Sequence, residues 1–137
     1  VFAWVDDLAR YPVWMELVHR VESEAASGPD GPRAWAIELR GRVGPFARSK
    51  RLRMVRTQLD PPTSVRFERQ EVDGRRHSAW VLEARIAPLE PDPGPRSRLE
   101  MALHYEGRWW SPVLERVLLE QIESARDRLL TLVSAPA

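Results

Sequence analysis

The chain contains no cysteine. That absence removes disulfides, thiolate nucleophiles and cysteine-bound zinc from its chemistry. Histidine is scarce. His19, His77 and His104 fall on separate segments, without the i, i+4 or short-loop spacing that metal sites favour, so no metal site is expected. Charge of one sign is lacking too: the net charge of +1 offers no general attraction to nucleic acid or to an anionic membrane. No apolar run approaches the ~20 residues that span a bilayer, and no signal peptide is visible. These absences predict a cytoplasmic protein with no nucleic-acid partner, no membrane insertion and no cofactor. The serines lack a nucleophile-elbow sequence, and Gly41-Arg42-Val43-Gly44-Pro45 lacks the pattern of a phosphate loop. Lysine occurs once, at Lys50, so nearly all positive charge is arginine.

What remains is the balance of a globular protein: 43% hydrophobic and 30% charged residues in a chain of 137. That length suits one domain over residues 1–137, burying roughly 70% of the surface its unfolded form exposes. The chain opens on Val1, already inside an apolar stretch, and reads as truncated at its N-terminus, lacking about one strand.

Hydrophobic periodicity sets out the elements. Val1 to Leu8 reads as a short helix, broken at Ala9-Arg10-Tyr11-Pro12, with a second short helix from Pro12 to about Met15. Leu17 to Glu24 alternates as a strand. Arg33 to Val43 alternates most clearly, with Trp35, Ile37, Leu39, Gly41 and Val43 on one face. Arg48 to Leu59 is a strand of ambiguous parity, since Leu52 and Met54 share one face while Val55, Thr57 and Leu59 share the other. A bulge or strong twist would reconcile them. Val65 and Phe67 begin the next strand, closed by a turn at Asp73-Gly74. His77 to Ala87 is predicted as a strand with Trp80, Leu82, Ala84 and Ile86 on one face. Pro88 to Pro95 is predicted as loop, and Leu99 to Tyr105 as the last strand. A long amphipathic helix follows, with Ser111 as N-cap, Pro112 at its first position, and Leu114, Val117, Leu118, Ile122, Ala125, Leu129 and Leu132 on one side. Strands joined by short turns, with helices at the chain ends, define an α+β fold.

Three stretches carry a family resemblance. Asp6-Asp7-Leu8-Ala9-Arg10-Tyr11-Pro12-Val13-Trp14, the Asp60-Pro61-Pro62 turn before Val65-Arg66-Phe67-Glu68, and Tyr105-Glu106-Gly107 entering the last helix resemble the polyketide cyclase/dehydrase-like branch of the START/Bet v 1-like (SRPBCC) superfamily. The resemblance implies a helix-grip fold, an antiparallel sheet wrapped round a long C-terminal helix. It also implies a first strand ahead of the two short helices, which this chain lacks. No catalytic motif carries over residue by residue.

The expected function is binding of a hydrophobic or aromatic small molecule, lipid or polyketide-like, in a cavity between sheet and helix. Strand parity and helix spacing nominate the lining. Trp14, Trp35, Ile37 and Phe67 come first; Trp80, Leu82, Leu103 and Tyr105 follow; Val117 and Gln121 come from the helix. Each aromatic among them also suits ordinary core packing, and Trp4, Trp109 and Trp110 suit it better. One alternative is a cyclase or dehydratase with Tyr105 as proton donor. Against it, Glu38, Glu68, Glu83, Glu100 and Glu106 take the outward parity, while Arg69 and Glu71 share parity with Phe67. Another is a protein-partner module like the quinone- or ribosome-associated members of the superfamily. The basic run Arg48, Lys50, Arg51, Arg53 and Arg56 suits a solvated outer face, yet its parity leaves open whether Lys50 and Arg56, or Arg51 and Arg53, turn inward to hold a ligand carboxylate or phenolate.

Overall fold

Two very short helices, α1 (Phe2–Val5) and α2 (Tyr11–Trp14), open the chain, separated by a 3-10 turn at Leu8–Arg10. Six strands follow: β1 (Val18–Glu24), β2 (Ala34–Val43), β3 (Phe46–Asp60), β4 (Ser64–Arg69), β5 (Trp80–Leu89) and β6 (Arg96–Tyr105). The chain then enters the long helix α3 (Pro112–Ser134). This computed structural model describes residues 1–24, 31–43, 46–89, 96–105 and 112–134; of residues 42–43, 46–48, 89, 96 and 112–122 it describes the backbone alone. Ser111, Glu106, Gly107, Trp109 and Trp110 lie outside the described residues, as do the side chains of Leu114, Val117, Leu118, Gln121 and Ile122.

The strands form one antiparallel sheet in chain order, β1-β2-β3-β4-β5-β6. That is the order expected when each strand is joined to the next by a short turn. Register assigns the faces. Trp35 pairs with Met54, Ile37 with Leu52 and Leu39 with Lys50; Phe67 pairs with Leu82 and Val65 with Ala84; Trp80 pairs with Tyr105 and Leu82 with Leu103. These residues share the inner face, on which the helices pack. Tyr11 and Trp14 of α2, Leu8, Val5, and Ala125 and Leu129 of α3 join the strand residues in one core cluster, and α3 packs on β2 and α2. No helix among the described residues is long and apolar enough to cross a membrane.

Several boundaries differ from the sequence expectation, each for a physical reason. Ala9 and Arg10 do not break the chain into coil. They form the 3-10 turn, started by Asp7, whose carboxylate accepts from the Ala9 amide at 2.9 Å. The ambiguous parity of β3 resolves in part as a bulge: the pairing with β4 shifts between Arg56 and Gln58 and returns Leu59 to the inner register opposite Val65, while Val55 stays in the outer register opposite Glu68. Strand β5 starts at Trp80, so His77 belongs to the preceding loop, and β5 runs through Pro88 to Leu89. Pro88 fits there because β4 begins only at Ser64, opposite Arg85. Beyond Ile86, whose amide donates to Thr63 O at 2.7 Å, β5 pairs with β6 alone, and a residue without an N–H costs no ladder bond on the other side. The Asp73-Gly74 turn is present, with Gly74 at φ 72°, the left-handed region where glycine meets no steric penalty.

Candidate functional site

The inner face divides into two halves. Around α2 it is sealed. Trp14, Trp35, Tyr11, Phe67, Leu8, Val5 and Val65 are each less than 2% exposed. The rings interlock: Tyr11 lies 4.7 Å from Trp14 and 6.2 Å from Phe67, and Trp35 meets Phe67 edge-on at 5.6 Å. The polar tips are satisfied by backbone. Tyr11 Oη donates to Val5 O and Trp14 Nε1 to Trp4 O, both at 3.0 Å. These two bonds tie α2 to α1 and explain why a helix of four residues holds its place. Burial raises the Tyr11 phenol far above its usual range, and the Asp6 carboxylate pushes the same way. Arg56 clamps the same region from β3: Nη1 donates to Asp6 O at 2.9 Å, and its guanidinium lies 5.7 Å from the Trp35 ring centre, with Arg33 at 4.9 Å. The Trp35 indole N–H is buried and meets no acceptor among the described residues.

Along β5 and β6 the inner face is only half covered. Leu82, Ile86, Leu99, Met101, Leu103 and Tyr105 are partly buried, packed against the core yet reachable by solvent. Trp80 is buried on the same face, with Tyr105 tilted against it at 5.4 Å. Trp14, Trp35, Ile37 and Phe67, nominated as lining, therefore sit in the sealed half. Trp80, Leu82, Leu103 and Tyr105 come together in the half-open one.

Strand lengths shape the end of that half. β4 stops at Arg69, opposite Met54, whereas β3 extends back to Phe46 paired with β2 alone. The sheet therefore has a notch beside the first half of β3. Lys50 stands at it, on the inner register opposite Leu39, and its ammonium lies 5.9 Å from the Trp80 ring centre. Burial lowers the Lys50 pKa first, the Arg69 guanidinium lowers it further, and Glu71 partly restores it. Arg69 Nε binds Glu71 Oε1 at 3.0 Å, the same oxygen that accepts the Arg53 backbone N–H at 3.0 Å. Arg69 Nη1 donates to Ser78 O and Oγ, and Nη2 lies 3.3 Å from His77 Nδ1. His77 Nε2 in turn meets both Asp73 carboxylate oxygens at 2.9 Å. The Asp73 carboxyl is held below its usual range by the Arg75 backbone N–H and then by His77.

The basic run is thus split. Lys50 and Arg56 take the inner register, while Arg51 and Arg53 take the outer one. Parity alone left both options open, and the pairing with Leu39 and Phe67 decides between them. Glu38, Glu68, Glu83 and Glu100 face outward, where Arg66 binds Glu83 at 2.9 Å. Beside them is an open depression of about 560 Å³ lined mostly by such outward residues, among them Arg66, Arg85 and Glu100. It is an open surface on which Arg66, Arg85 and Arg98 meet Glu83 and Glu100. His19 and His104 are exposed, and no cluster of metal-ligating side chains occurs among the described residues.

An open antiparallel sheet with short N-terminal helices and one long C-terminal helix across its inner face is the helix-grip form of α+β protein. The chain belongs to the family described as polyketide cyclase / dehydrase and lipid transport, whose model matches residues 1–133, within the SRPBCC/Bet v 1-like superfamily. No curated protein and no solved structure matches it.

Proposed function

We propose that the protein binds a hydrophobic or aromatic small molecule, a lipid or a polyketide-like compound, between the inner face of the sheet and α3. The observation that carries this reading is the half-covered apolar surface of β5 and β6. Leu82, Leu103 and Tyr105 lie there beside Trp80 while the α2 side of the same face is closed. A guest seated there would complete the burial of that half of the face. Each 100 Å² of apolar surface it covers would contribute about 2.5 kcal/mol before ordering costs. The family description, cyclase/dehydrase and lipid transport, supports an apolar guest.

The test is a titration of tryptophan fluorescence with phospholipids, long-chain acyl compounds and polyketide aromatics. The Trp80→Phe variant identifies the reporter. Saturable quenching that disappears in Trp80→Phe, and weakens in Leu103→Asp with the fold retained by circular dichroism, supports the reading. Absence of a saturable change with every class overturns it.

A further inference from the structure

We infer that the molecule bound on this face ends in a carboxylate, held between Lys50 and Arg69 at the notch where β4 stops. This deepens the hydrophobic-site reading and rests on it.

Among the described strand positions on the inner register, the charged residues are Arg48, Lys50, Arg56 and Arg69, and all are cations. The strand glutamates Glu38, Glu68, Glu83 and Glu100 take the opposite register. Arg56 is committed to the Asp6 carbonyl and the Trp35 ring. Arg69 has Glu71, the carboxylate that joins this face from beyond the end of β4. That glutamate also holds the Arg53 amide, which fixes it at the notch. Lys50 has no carboxylate within 4.0 Å among the described residues, and its ammonium lies 5.9 Å from the Trp80 ring centre. Among the described side chains there, two cations and one carboxylate leave one positive charge in excess. They sit at the margin of an apolar surface, where an uncompensated charge is costly.

The placement is as informative as the count. Burial and the Arg69 guanidinium both work against the Lys50 ammonium. An anion between the two cations removes the second effect and offsets the first. A carboxylate suits the pair, because Lys50 offers a point charge with rotatable donors and Arg69, its guanidinium held by Glu71, Ser78 and His77, adds a fixed positive charge beside it. The apolar body of such a molecule would then run over Trp80 towards Leu82 and Leu103. One end of the site is charged and the rest is greasy, which is the complement of an amphiphilic acid.

Two matched pairs test this on the full chain: dodecanoate against dodecanol, and naphthoate against naphthalenemethanol, read by tryptophan fluorescence. A charge-assisted contact predicts that each acid binds about tenfold tighter than its alcohol or better. Lys50→Met should erase that preference while leaving the alcohols' affinity unchanged, and Lys50→Arg should keep most of it. Equal binding of acids and alcohols by the unaltered protein overturns the carboxylate assignment and leaves the hydrophobic site standing. So does a preference that survives Lys50→Met. If no member of either pair binds, the carboxylate assignment falls, and the hydrophobic site falls with it only if the phospholipid and polyketide titrations are also flat.

Discussion

Arg69 Nε lies 3.0 Å from Glu71 Oε1, with 8% of the arginine side chain and 19% of the glutamate side chain exposed. This is the most protected ion pair on the described surface, and the same carboxylate oxygen closes the gap to β3 through the Arg53 amide. It therefore joins the end of β4 to a stretch of β3 that has no β4 partner. Glu71→Ala should destabilise the fold by roughly 2–3 kcal/mol, because a shielded guanidinium loses its counter-charge and an amide loses its acceptor. Glu83→Ala, which removes the half-exposed Arg66 pair on the outer face, should cost under about 1 kcal/mol. Urea denaturation of the two variants checks the contrast; equal costs would contradict it.

The two halves of the inner face should respond differently to truncation. Phe67 is fully buried against Tyr11 and Trp35, so Phe67→Ala is expected to cost about 3–5 kcal/mol, enough to threaten folding. Leu103 is half covered, and Leu103→Ala should cost less than about 2 kcal/mol while leaving a folded protein. Thermal melts followed by circular dichroism measure both.

Alkaline pH should reach the α1–α2 contact through Tyr11. Its folded pKa is raised above the unfolded value, so its contribution to stability is fully present below pH about 10 and is lost as pH climbs beyond it. The Tyr11 hydroxyl donates to Val5 O, a bond the phenolate cannot make. In Tyr105→Phe, where Tyr11 is the single remaining tyrosine, phenolate absorbance should rise together with loss of the near-ultraviolet dichroism. A rise that precedes unfolding would contradict this.

The loop before β5 makes a prediction about one proton. Arg69 Nη2 can only donate, so the neutral His77 ring must accept at Nδ1 and carry its hydrogen on Nε2, towards Asp73. Nitrogen NMR of the imidazole should show the Nε2–H tautomer, and Arg69→Met should release it to a mixture. The Nδ1–H tautomer in the unaltered protein would break this chain of hydrogen bonds.

Much of the architecture was legible in the residues. Strict alternation in Trp35-Ile37-Leu39, Trp80-Leu82-Ala84 and Leu99-Met101-Leu103 placed those side chains on one face, and the register agrees. The i, i+4 step from Ala125 to Leu129 likewise marked the buried side of α3. Alternation works here because a strand that covers a core on one face cannot slip by a single residue without turning that set to water. The bulge in β3 was legible only as a conflict of parity, and its position after Arg56 required the pairing with β4.

What the sequence determined by itself, then, was the order of elements, their period and the apolar identity of the inner face, all set by local backbone geometry and side-chain hydrophobicity. Tertiary structure alone decided how that face is divided. The hydroxyl of Tyr11 and the indole of Trp14 dock α2 onto backbone carbonyls far from any periodic signal, which closes one half. The early stop of β4 leaves Lys50 without a β4 neighbour, within electrostatic reach of Arg69. Both depend on where strands end and which neighbours meet, and that is set by contacts between residues distant in the chain rather than by the pattern within any segment.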